Sequence, residues 1–108
     1  MPPMNTHQKY HTISHHHFDF MYARENGEFD YPHSALMLVE CADGRWFIEQ
    51  EFGEEYDRFP GVVKSGKDLE TAPTFYLDVD KVARAAFALI KQVYPGTPDE
   101  RLAEFLED

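Results

Sequence analysis

The stretch ALMLVECADGRWFIEQEFGEEYD, residues 35–57, decides the fold. It reads as two strands joined by a tight turn and running into an acidic loop. Asp43-Gly44 supplies the turn, because the central positions of a type I′ hairpin need φ > 0 and glycine adopts that conformation without strain. A two-residue loop there sets Cys41 opposite Trp46, Val39 opposite Ile48 and Met37 opposite Gln50, an apolar face expected in the core. The other face pairs Glu40 with Phe47, Leu38 with Glu49 and Leu36 with Glu51. That mixture of apolar and acidic groups suits either a covering element or a docked partner.

Upstream, Tyr10 to Tyr22 reads as a strand, with Phe18, Phe20 and Tyr22 at period two. Asn26-Gly27 signals a second hairpin that places Tyr22 opposite Tyr31 and Arg24 opposite Phe29. Phe18, Phe20, Tyr22, Phe29 and Tyr31 then share one core-facing side, and Pro32 ends the pairing. Residues 1–8, which contain Pro2-Pro3, are expected as a loose terminus. Downstream, GEEYDRFPGVVKSGKDLETAP is mainly loop, with Val62-Val63 as a candidate short strand, and Thr74 to Leu77 reads as a last strand.

Asp78 caps a helix from Val79 to about Tyr94, whose stripe is Val79, Val82, Ala86, Leu89, Ile90 and Val93. Lys81, Arg84 and Lys91 lie off that stripe and are expected in solvent. Pro95-Gly96 stops the helix. Thr97-Pro98-Asp99-Glu100 starts another, with Thr97 as cap and Glu100 closing the capping box. Leu102, Phe105 and Leu106 form its apolar side. The expected architecture is α+β: a four- to five-stranded antiparallel meander packed by one long and one short C-terminal helix, in a single domain spanning 1–108.

At 108 residues the chain can hold one core, and 9 Phe, 6 Tyr and 1 Trp give that core large buried areas. Twenty acids against 10 bases leave a net charge of −10. Such a balance opposes direct nucleic-acid binding, which needs Lys and Arg on phosphates, and opposes anionic membrane surfaces. A basic protein surface is the natural partner, and solubility alone is the competing explanation. Cys41, the single cysteine, stands in an apolar strand and reads as a buried, inert thiol. The sequence carries no signal-like or membrane-spanning apolar run, so a cytoplasmic location is expected.

His11, His15, His17 and His33 invite a metal reading, with Asp19 on the same strand face as His15 and His17. No C-x-x-C or H-E-x-x-H spacing supports it, and no cofactor is expected. Acid–base catalysis needs groups brought together with shifted pKa values, which no motif here announces, so an enzyme is not expected. Glu49, Glu51, Glu54, Glu55 and Asp57 form an acidic run without a base between residues 49 and 57, interleaved by Phe52 and Tyr56. Together with Glu40 and Phe47 they make the expected partner site, charges ringing aromatic anchors. The competing reading is a solvated edge that discourages aggregation.

From about Ser34 to Pro95 the chain resembles the small acidic immunity proteins of bacterial toxin systems, including those of contact-dependent inhibition. The likeness is carried by SALMLVECADGRWFIEQEFG, the irregular acidic middle, and the closing strand–helix unit TFYLDVDKVARAAFALIKQ. It implies a cytosolic, non-catalytic protein that binds a cognate toxin domain with a basic surface, such as a nuclease or deaminase, and blocks its active site. The alternative is a phage-type anti-defence protein that mimics nucleic-acid charge.

Overall fold

Two turns of one kind set both hairpins. Gly44 takes φ +91° and donates its N–H to Cys41 O at 3.0 Å, while Cys41 N donates to Arg45 O at 2.8 Å. The loop is therefore three residues, Ala42-Asp43-Gly44: a type I turn closed by a left-handed glycine. Asp43 Oδ1 braces it by accepting from Arg45 N at 3.1 Å. Glu25-Asn26-Gly27 repeats the design. Gly27, at φ +85°, donates to Arg24 O at 2.9 Å, Arg24 N donates to Glu28 O at 2.7 Å, and Asn26 Oδ1 accepts from Glu28 N at 2.9 Å. Each turn thus holds one residue more than a type I′ turn, and each register moves by one.

In the computed structural model, which describes residues 6–64 and 72–107, the elements are α1 (Thr6–Tyr10), β1 (Thr12–Phe18), β2 (Tyr22–Ala23), β3 (Phe29–Asp30), β4 (Ala35–Cys41), β5 (Trp46–Phe52), α2 (Val79–Val93) and α3 (Glu100–Glu107). Across the central hairpin Glu40 pairs with Trp46, Val39 with Phe47, Leu38 with Ile48, Met37 with Glu49 and Leu36 with Gln50. The expected partners were one residue away, and a one-residue slip exchanges the faces of a strand pair. Leu36, Leu38, Trp46 and Ile48 accordingly share one face and pack with Phe18 against Val82, Ala83, Ala86, Phe87 and Ile90 of α2. Val39, Cys41 and Phe47 share the other, covered by Val63, Tyr10 and Phe75. Both faces of β4 and β5 are buried, as their near-continuous apolar content demands.

The fold is α+β, with an antiparallel sheet and C-terminal helices, but the strands do not form one meander. Three strands run in the order β1-β4-β5, and β2-β3 is a separate two-stranded ribbon. The long opening strand is broken at Asp19–Met21, and the ribbon pairs Tyr22 with Asp30 and Ala23 with Phe29. Phe18, Phe20 and Tyr22 join the core, whereas Phe29 and Tyr31 stay exposed. Thr74 to Leu77 contributes one bridge, Tyr76 to Trp46, and Val63 makes a parallel bridge to Glu49. Together they cover the outer edge of β5. The loose terminus expected at residues 1–8 is helical from Thr6; residues 1–5 lie outside the described part.

Asp78 caps α2 as expected, its Oδ1 accepting from Lys81 N at 2.8 Å. Ala83 and Phe87 are buried and Val79 is not, so the contact stripe is rotated from the one the spacing suggested. Thr97 does not cap α3 with its hydroxyl. Its Oγ1 donates back to Tyr94 O at 2.9 Å, closing the end of α2 instead. Lys91 is also drawn inward, donating to Thr97 O at 2.8 Å and pairing with Asp99 at 3.1 Å. Leu38, fully buried between β1 and β5 beneath α2, sets the expected cost of a core truncation. Leu38→Ala should lower stability by about 3 kcal/mol in urea unfolding, and Ile13→Ala, at 62% exposure, by less than about 0.5 kcal/mol.

Candidate functional site

The acidic segment leaves β5 through Gly53 and is anchored from beneath. Gly53 has φ +83°, and a Cβ there would stand 2.5 Å from His33 O and 2.6 Å from Ser34 Cβ, so only glycine fits. Gln50, buried at the end of β5, turns both ends of its amide to the segment. Its Oε1 accepts from Tyr56 N at 3.0 Å, and its Nε2 donates to Asp57 Oδ1 at 2.6 Å. Ser34 Oγ accepts from Glu55 N at 3.1 Å. From α2, the Tyr94 hydroxyl donates to Glu55 Oε1 at 2.7 Å and accepts from the N–H groups of His33 at 2.9 Å and Ser34 at 3.2 Å. Burial and the Glu55 hydrogen bond push that phenol up to about 12.

These contacts divide the nine residues expected at the partner site. Phe52, Glu54, Glu55 and Asp57 are exposed, and Glu40 and Glu51 are half-buried. Phe47, Tyr56 and Glu49 are buried, Phe47 and Tyr56 in the two cores and Glu49 beneath α1. Tyr56 alternates inward because Gln50 captures its backbone, so the aromatic anchor of the exposed group is Phe52 alone. Glu40 belongs to the opposite end of the hairpin, beside Trp46.

The histidines of β1 are split by the pleat. His15 and His17 lie on the α1 side of the sheet with Val39 and Met37, whereas His16 lies on the α2 side with Leu38. His11 sits before the strand at φ 52°, and His33 lies in the link to β4. Among the described residues no three His, Cys, Asp or Glu side chains converge to hold a metal. Instead His17 Nδ1 pairs with Glu51 Oε1 at 2.9 Å, and His7 Nε2 with Glu49 Oε1 at 2.5 Å. Burial pushes the Glu49 carboxyl up, opposed by the charges of His7 and His15. The hydrogen bond to Glu51, then its charge, hold the His17 imidazole above its ordinary value. Burial raises the Cys41 thiol, which removes it from nucleophilic chemistry.

Among the described residues seven bases pair with local acids: Arg24 with Asp30, Arg45 with Asp43, Lys64 with Asp57, Lys81 with Asp78, Arg84 with Asp80, Lys91 with Asp99 and Arg101 with Glu104. The excess acids therefore set the outward field. No helix among the described residues is long and apolar enough to cross a membrane. Sequence reading missed Gln50, Ser34, Tyr94 and His7. Gln50 did leave a trace, a polar residue at a core-facing strand position, but nothing local linked Tyr94 to residues sixty places earlier. No family model, curated protein or solved structure matches the chain.

Tyr94→Phe removes one donor and leaves two backbone N–H groups without their acceptor. It should cost about 2 kcal/mol in urea unfolding, and hydrogen exchange should quicken at Glu55 and Tyr56. His17 supplies a pH test. Because its folded value is raised, the stability its pair gives is fully present below the ordinary 6.5 and lost as pH rises through the raised value. Wild type should therefore exceed His17→Gln in urea midpoint at about pH 6 and converge with it at about pH 8.5.

Proposed function

We propose that this chain is a non-catalytic inhibitor of the immunity type, acting in the cytoplasm on a cognate toxin domain. The observation that carries the reading is the pre-ordered acidic projection at Phe52–Asp57. Glu54, Glu55 and Asp57 follow the exposed Phe52 on a segment whose backbone is tied to Ser34 and Gln50 and whose Glu55 carboxylate is held by Tyr94. A segment already ordered before binding loses little conformational entropy on docking. A toxin that acts on nucleic acid carries a positive cleft to bind phosphates, and this projection offers it carboxylates in their place. The overall charge of −10 adds long-range steering toward such a cleft.

Co-expression with the product of the neighbouring gene tests the reading directly. Protection of cells from a toxin domain encoded there supports it. A neighbour without a toxin domain, together with no protection, sinks it, and a prophage setting with binding to a host nuclease makes the chain a charge-mimicking anti-defence protein instead. The doubly substituted Phe52→Ser, Glu54→Lys variant touches exposed side chains, so stability should move by no more than about 1 kcal/mol. Affinity for the toxin should fall about a hundredfold, read by calorimetry. Lys81→Gln with Arg84→Gln, on the solvent side of α2, should leave affinity within about twofold because it removes only surface pairs.

A further inference from the structure

Near the Ala42–Gly44 turn, on the α2 side of the sheet, His16, Trp46, Val79, Phe105 and Leu106 wall a cavity of about 390 Å³. Four elements meet there: β1 and β5 below, the start of α2 and the end of α3 above. The rings of His16 and Trp46 lie 5.7 Å apart at 31°. Between those two walls runs β4, where Glu40 is paired with Ser14 on one side and Trp46 on the other, so all three side chains share this face. Ser14 Oγ donates to Glu40 Oε1 at 2.9 Å and lies 3.3 Å from His16 Nε2. A hydroxyl thus holds the half-buried carboxylate in place, while Arg45, the adjacent base, is committed to Asp43 at 2.8 Å and lies 3.9 Å over the Phe75 ring.

Glu40 does not itself line the hollow; held by Ser14 next to His16, its carboxylate stands at the edge of that wall and selects among occupants. A purely apolar ligand would bury Glu40 further and give its charge no partner. An ammonium is compact and strongly hydrated, and loses much on entering. A guanidinium is flat, weakly hydrated, stacks on aromatic faces and donates two parallel hydrogen bonds to a carboxylate. We propose that this cavity receives the guanidinium of an arginine side chain presented by a partner protein, with Glu40 as its counter-ion and Trp46 and Phe105 as its walls. The cavity lies at the opposite end of the central hairpin from Phe52–Asp57, so the inference does not rest on the inhibitor reading.

Trp46 is the only tryptophan, so its fluorescence reports on the cavity without labelling. The probe is the blocked peptide acetyl-Gly-Arg-Gly-amide, with acetyl-Gly-citrulline-Gly-amide as its neutral isostere. The arginine peptide should give a saturable change, and the citrulline peptide should bind at least about tenfold more weakly, the worth of one charge-assisted hydrogen bond. Glu40→Gln should weaken the arginine peptide by a similar factor, whereas Glu54→Gln should not alter it. Val79→Arg supplies a tethered guanidinium at the cavity wall and should abolish the response; it decides the matter if Glu40→Gln does not fold. Equal responses to the two peptides overturn the proposal, as does wild-type affinity in both Glu40→Gln and Val79→Arg. Free L-arginine binding at least tenfold tighter than the blocked peptide also overturns it, because the cavity would then be a small-molecule site.

Discussion

Register across the Ala42–Gly44 turn is the constraint on which the rest depends. With Gly44 left-handed and Cys41 N bonded to Arg45 O, Glu40 must face Trp46 and every later pair follows. That choice gathers Leu36, Leu38, Trp46 and Ile48 beneath α2, and sends Val39, Cys41 and Phe47 to the α1 side. A slip by one would put Glu49 under α2 and Ile48 under α1, which no local adjustment could repair. The repeated use of the same turn at Glu25–Gly27 shows how economical the device is: an Asn or Asp braces the loop with its side chain, and glycine takes the positive φ.

Register also decides where the polar side chains of β5 end up. Gln50 falls on the α2 side at the end of the strand, where an apolar residue would have extended the core. It turns its amide to the acidic segment instead, accepting from Tyr56 N and donating to the Asp57 carboxylate. From the end of α2 the Tyr94 hydroxyl joins the His33 and Ser34 N–H groups to the Glu55 carboxylate. Groups below thus fix both the backbone of the segment and the Glu55 and Asp57 carboxylates, while Glu54 stays exposed. Order in the acidic loop is thus a property of the core, and charge its only local contribution.

The charge distribution has a second feature. Histidines, not Lys or Arg, face Glu49 and Glu51, and the His17 imidazole is held above its ordinary value by Glu51. Lys and Arg pair with acids close in sequence at turns and helix ends, where water screens them and each pair is worth little. Net negative charge therefore persists at the surface.

Much of the architecture was legible in the chain itself. The apolar runs ALMLVEC and WFIEQEF on either side of Asp43-Gly44, period 3.6 from Val79 to Val93, and the Asp78 cap specify strands, helix and helix start through local geometry that neighbours need not supply. The acidic excess is compositional and was readable in the same way. The turn length was not, because Asp-Gly and Asn-Gly serve two- and three-residue loops alike, and only pairing across the whole strand selects between them. Nor could the sequence say that Tyr56 and Glu49 turn inward while Phe52 and Glu54 stay outside. Contacts from Gln50, Ser34, Tyr94 and His7 settle that, and these bring together residues far apart in the chain, where no periodicity reaches and only the packed fold decides.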